Sequence, residues 1–243
     1  MPRLTGTVAR LLALGLGLAL LAGCAVQPRP DPAPGPDAAE QGPRWWYARF
    51  LIAPGPQGEV RSHLDLLLAD LLLGPLLREG AEDLALWRFH RRWPDDPTGH
   101  QFSFLFYAPV AVAERVDRRL AADPLLDQLL DAGLLRSYRL APGDPARAAA
   151  RGGSSDPRWS AELQAAWPDF IMGVSQTWLG LVGALADCAP ADPASDVLEA
   201  CYRAAERELD ALWYAEGGHA FLHHLNALFG YRPTLLPRGP MRF

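Results

Sequence analysis

Phe102, Phe104 and Phe106 stand two apart, with Gln101, Ser103 and Leu105 between them. Side chains two apart share a face of a β-strand, so Gln101 to Tyr107 is expected to be a strand with a phenyl-lined side. A second such run is Trp45-Trp46-Tyr47-Ala48-Arg49-Phe50-Leu51-Ile52, which ends at Pro54-Gly55-Pro56. Leu84 to Trp93 and Leu134 to Leu140 complete a set of four strands, with a turn-rich connection from Pro94 to Gly99. Between them lie two helical stretches. Ser62 to Glu79 opens with Ser62 and Asp65 in capping-box spacing and has Gly80 beyond its end; Gly74-Pro75 inside it predicts a kink or an early stop. Val110 to Leu130 divides at Asp123-Pro124. The order β-α-β-β-α-β over residues 44–140 is the split arrangement of ferredoxin-like α+β domains, and right-handed crossovers place both helices on one sheet face.

Alternation then sorts the side chains. Trp46, Ala48, Phe50 and Ile52 form one face of the first strand, and Trp45, Tyr47, Arg49 and Leu51 the other. On the second strand Arg88, His90 and Arg92 alternate with Trp87, Phe89 and Trp93; the polar set is expected to join Trp45, Tyr47 and Arg49 on the face away from the helices. Two outcomes are open for that face. The C-terminal helices cover it, as exposed aromatic patches tend to be covered, or it binds anions, sugars or peptide.

Residues 141–156 are rich in Gly, Ala, Pro and Ser and read as a linker or loop, followed by a helical subdomain over 157–230. Asp156-Pro157 is expected to start its first helix, and Trp167-Pro168 to interrupt it. Trp167, Ile171, Val174, Trp178, Leu181 and Leu185 then recur as a core-facing seam. Gly173, Thr177, Gly180 and Ala184 form a stripe of small residues suited to close helix approach. Asp192-Pro193 caps a further helix carrying Leu198, Cys201, Tyr202, Ala205, Leu209 and Leu212 on one face, and Gly217-Gly218 is expected to end it. A last short helix spans His219 to Phe229, with an extended tail over 231–243.

Candidate chemistry is sparse. All 23 basic residues are arginine, which removes Schiff-base chemistry and a P-loop lysine. The net charge of −5 argues against phosphate-driven nucleic-acid binding. No Gly-x-Ser-x-Gly elbow occurs, and Gly152-Gly153-Ser154-Ser155 reads as a flexible loop. His219 and His223, four apart, with Glu216 upstream, are the candidate zinc ligands of a metal-dependent enzyme or accessory factor. Two histidines supply half of a zinc site, and no glutamate lies between them. No other cofactor is expected.

The N-terminus speaks to location. Arg3 and Arg10 precede an uncharged leucine-rich run, Leu11 to Leu21, too short to span a bilayer and typical of a secretory signal. Leu21-Ala22-Gly23-Cys24 resembles the lipobox of bacterial lipoproteins. That resemblance implies a diacylglyceryl thioether on Cys24, cleavage of residues 1–23, and palmitate or another acyl chain on the new amine. Ala25 after the cysteine, in place of aspartate, implies the outer membrane by the same resemblance. Losing Arg3 and Arg10 takes the charge from −5 to −7. Residues 24–43 carry Pro28, Pro30, Pro32, Pro34, Pro36 and Pro43, a polyproline-type tether reaching ~3.1 Å per residue. In that oxidising compartment Cys188 and Cys201 are expected to pair. The reading from sequence is a lipid-anchored, periplasm-facing envelope lipoprotein, a non-catalytic binding or accessory module with an envelope protein as partner and no nucleic acid.

Overall fold

A computed structural model describes residues 42–80, 82–92, 98–188 and 194–231. The signal region, Cys24, most of the tether, the Asp192-Pro193 cap and the tail from 232 onward lie outside the described residues.

Four strands form one antiparallel sheet: β1 (Arg44–Ile52), β2 (Leu86–Arg92), β3 (Gln101–Ala108) and β4 (Leu135–Pro142), in the order β2-β3-β1-β4. The sheet and its mixed helices make the chain α+β. Between β1 and β2 runs α1 (His63–Leu67), a π-helical stretch Leu68–Leu73, and α2 (Gly74–Glu79). Gly74-Pro75 therefore neither stops nor ends this segment. A wider turn just before Pro75 accommodates the residue that lacks an amide donor. Between β3 and β4 lie α3 (Val110–Ala121) and α4 (Pro124–Asp131), split where Asp123 caps Leu125 N–H at 3.0 Å.

The phenyl-lined side of the sheet is the core. Ala48, Phe50, Phe102, Phe104 and Phe106 are fully buried against the leucines of α1 and α2 and against α3 and α4. Val182, Leu198, Tyr202, Ala205 and Leu209 join the same cluster, so the C-terminal helices share one core with the sheet. They belong to α5 (Ala161–Leu185) and α6 (Ser195–Leu212), which continues through a π-helical stretch Trp213–His223 into α7 (His224–Leu228).

Several local expectations change. The helix starts at Ser160, whose hydroxyl accepts from Leu163 N–H, and not at Asp156-Pro157. Pro168 does not interrupt α5; it sits buried within 25 continuous helical residues. Its ring leaves the Gln164 carbonyl without the usual helical donor, and Gly152 packs so closely there that a Cβ would fall 2.6 Å from that oxygen. Gly217-Gly218 likewise does not end the last helix. The Trp213 indole lies across Gly217, where a Cβ would meet Cε3 at 2.7 Å, so the glycine admits a ring instead of breaking a helix.

The α5 seam is also rotated from expectation. Trp178, Leu181 and Leu185 of that seam pack against the core, but Val174 is exposed, and the fully buried residues are Pro168, Ser175 and Val182. α5 lies along β2, where Ser175 Oγ accepts from Phe89 N–H at 3.1 Å and so occupies the open edge of the sheet. Among the described residues no helix packs on the stripe of small residues: none comes within 4 Å of a Cβ built at Gly173 or Gly180. Cys188 and Cys201 are joined as a disulfide with Cα atoms 5.8 Å apart, pinning the end of α5 to α6.

Candidate binding face

The strand register builds the second face of the sheet row by row. Leu86, Tyr107 and Trp45 lie side by side, then Arg88, Leu105, Tyr47 and Ala141, then His90, Ser103, Arg49 and Arg139, then Arg92, Gln101, Leu51 and Ser137. Arg88, His90 and Arg92 thus share the face of Trp45, Tyr47 and Arg49, away from the main core.

The cover on this face is partial, and it comes mainly from residues 143–155 in place of the C-terminal helices. Trp45 is 1% exposed and packs with Leu86 and Leu105; its indole N–H donates to the Arg151 carbonyl at 2.8 Å. Tyr107 hydroxyl donates to the Ala149 carbonyl at 2.7 Å, and Arg88 Nη2 to the Ser154 carbonyl at 3.0 Å. The segment that reads as a linker is strapped across the first rows. Met172 of α5 adds to this small cluster. Trp45 and Arg88 therefore fasten the strap, and burial lowers the Arg88 pKa from its usual value.

The remaining rows are less covered, although Ser103 is buried and its hydroxyl accepts from Gln101 Nε2 at 2.9 Å. Arg49 is half-buried and Arg139 exposed, directly opposite each other on neighbouring strands. The Arg49 guanidinium sits over the Tyr47 ring, 4.7 Å from its centroid. Desolvation, then the charge of Arg139, lower the Arg49 pKa; Tyr47 opposes them, and Arg92 lowers it further. Among the described residues no carboxylate pairs with Arg49 or Arg139. Arg139 escaped sequence reasoning because its alternation with Tyr138 and Leu140 acquires meaning only once β4 is known to lie beside β1.

Two polar clusters lie elsewhere. Asp65, 1% exposed, accepts from Arg91 Nε at 2.6 Å and bonds His100 Nε2 at 2.9 Å, so it ties β2 and the start of β3 to α1 and does not cap the helix. Glu199 gathers His63 Nε2 at 3.1 Å, Arg203 at 3.0 Å and Arg61 at 3.7 Å between α1 and α6. Burial lowers the His63 pKa despite the hydrogen bond to Glu199, whose charge the two arginines already balance.

At the candidate metal helix, the His219, His223 and His224 rings lie with centroids 5.1 to 5.4 Å apart. Among the described residues no group of three or more His, Cys, Asp or Glu side chains is arranged to hold a metal ion, so Glu216 does not complete a set with His219 and His223. A cavity of about 710 Å³ opens between α5 and the arm formed by α6, the π-helical stretch and α7. Phe170, Val174, Trp178, Trp213 and Leu225 line it, and Gly173 and Thr177 of the small-residue stripe open into it. No family model, characterised protein or solved structure matches this chain.

Proposed function

We propose that the protein is a lipoprotein of the cell envelope, anchored to the outer membrane through acylated Cys24 and facing the periplasm. Its body acts as a non-catalytic binding or accessory module that meets an envelope partner on the open half of the sheet. The observation that carries the binding reading is Arg49 facing Arg139 with no carboxylate partner among the described residues. Like charges directly opposite on a sheet are destabilising, so an anionic group on a partner is the natural complement. The Cys188–Cys201 disulfide supports an oxidising compartment. Among the described residues no helix is long and apolar enough to cross a membrane, which accords with attachment by lipid. We also read the sheet as ferredoxin-like, on the support of its order β2-β3-β1-β4 and of helices between β1 and β2 and between β3 and β4.

Two measurements test this. Fatty-acid labelling in cells is expected to mark the wild-type chain and to vanish with Cys24→Ala; label retained in the variant removes the anchor reading. In-cell crosslinking followed by mass spectrometry is expected to yield one dominant envelope protein, lost with Arg49→Glu. A partner that persists in that variant removes the sheet face from the function.

A further inference from the structure

We infer that the open half of the sheet holds a phosphoryl group, chelated between the guanidinium groups of Arg49 and Arg139. This rests on the binding-module reading and names the chemistry recognised there.

The case begins with how arginines are treated elsewhere in the fold. The chain has 28 acids for its 23 arginines, and several arginine heads among the described residues have one within reach. Arg91 meets Asp65, Arg115 meets Asp83, and Arg119 meets Glu79; Arg151 meets Asp169, and Arg203 meets Glu199. Arg49 and Arg139 meet each other. On adjacent antiparallel strands, directly opposite side chains stand about 4.5–5.5 Å apart at Cβ, and two like charges there oppose folding. A net negative chain that leaves two cations together on an open surface has a positive spot against an otherwise repulsive background for anions.

The geometry also favours a particular anion. Tyr47 lies under the Arg49 guanidinium and occupies one of its faces, which leaves its N–H edge for a ligand. Arg139 presents a second fork from the neighbouring strand. One fork satisfies the two oxygens of a planar carboxylate. A tetrahedral phosphoryl group carries a third oxygen and so engages both forks at once. His90 lies further along the same row, beyond buried Ser103, and Arg92 stands in the next. The half-burial of Arg49 reduces the competition from water; that desolvation is the main cause of its lowered pKa, and the charge of Arg139 adds to it.

The experiment is a titration of the full chain in detergent micelles, read by the side-chain Nε–Hε NMR signals of arginine. The probes are inorganic phosphate and, separately, short-chain phosphatidylglycerol and phosphatidylcholine. Saturable shifts centred on Arg49 and Arg139 are expected with phosphate. Arg139→Gln is expected to weaken binding about tenfold, while Arg115→Gln, an arginine paired elsewhere, leaves it unchanged. Binding of phosphatidylglycerol well above that of phosphate and phosphatidylcholine supports the site with a lipid headgroup as the source; equal binding of phosphate supports it with a soluble phosphoryl ligand. Shifts that never saturate, or that survive Arg139→Gln undiminished, overturn the inference. In that case the crosslinking result with Arg49→Glu still decides the binding-module reading by itself.

Discussion

Arg49 and Arg139 face each other across β1 and β4, and Tyr47 supports the guanidinium of the first. A pair like this lowers stability in the unliganded protein. Arg139→Glu converts it to an opposite-charge pair and is expected to add about 0.5–1 kcal/mol, or about 1–4 °C in Tm. The same change removes anion binding. A thermal melt beside the phosphate titration checks both; a variant that loses stability contradicts the repulsion described here.

Two glycines in or against α5 are expected to respond in opposite ways. Gly152→Ala drives a Cβ to within 2.6 Å of the Gln164 carbonyl, backbone against backbone, and is expected to cost about 1–3 kcal/mol by unseating the strap. Gly180→Ala meets nothing within 4 Å on an exposed helix surface and is expected to gain up to about 1 kcal/mol. Urea denaturation of both variants measures the contrast.

His63 makes folding sensitive to mild acid. Burial lowers its folded pKa below the usual histidine value of about 6.5, so the unfolded chain takes up the proton first. The stability due to neutral His63 is complete above that value and is lost as pH falls toward the folded pKa. His63→Gln retains a donor for Glu199 without titrating there. It is expected to flatten the decline in denaturation free energy below about pH 6.5 relative to wild type.

Removing Arg91 leaves the Asp65 carboxylate at 1% exposure with only His100 beside it. Arg91→Ala is expected to destabilise by about 1–3 kcal/mol, because the buried Asp65 carboxylate loses a charged donor while Arg91 itself is partly exposed. Chemical denaturation tests this, and Arg91→Ala with Asp65→Asn is expected to recover part of the loss.

How much of this was legible depended on the range of the signal. The alternation in β1 and β3 is local, and it placed Ala48, Phe50, Phe102 and Phe104 in the core correctly. The shared face of Trp45, Tyr47, Arg49, Arg88, His90 and Arg92 followed from the same period of two. What failed was punctuation. Pro75, Pro168 and Gly217-Gly218 all signal breaks locally, yet each sits in continuing helix because a tertiary contact or a wider turn absorbs the defect. Asp65 looked like a cap because its partners, Arg91 and His100, are distant in sequence. Arg139 needed the strand order, which no stretch of β4 contains.

Ser175 closes one margin of the sheet by taking the Phe89 amide, while β4 forms the other margin and carries Arg136 and Arg139. Among the described residues, that leaves β4 as the margin where another strand could add. Two copies joined β4 to β4 would complete a closed pair with no margin left over, so growth into a fibre is blocked after the first step. The helix laid along β2, fastened there by Ser175, thus limits assembly through this sheet.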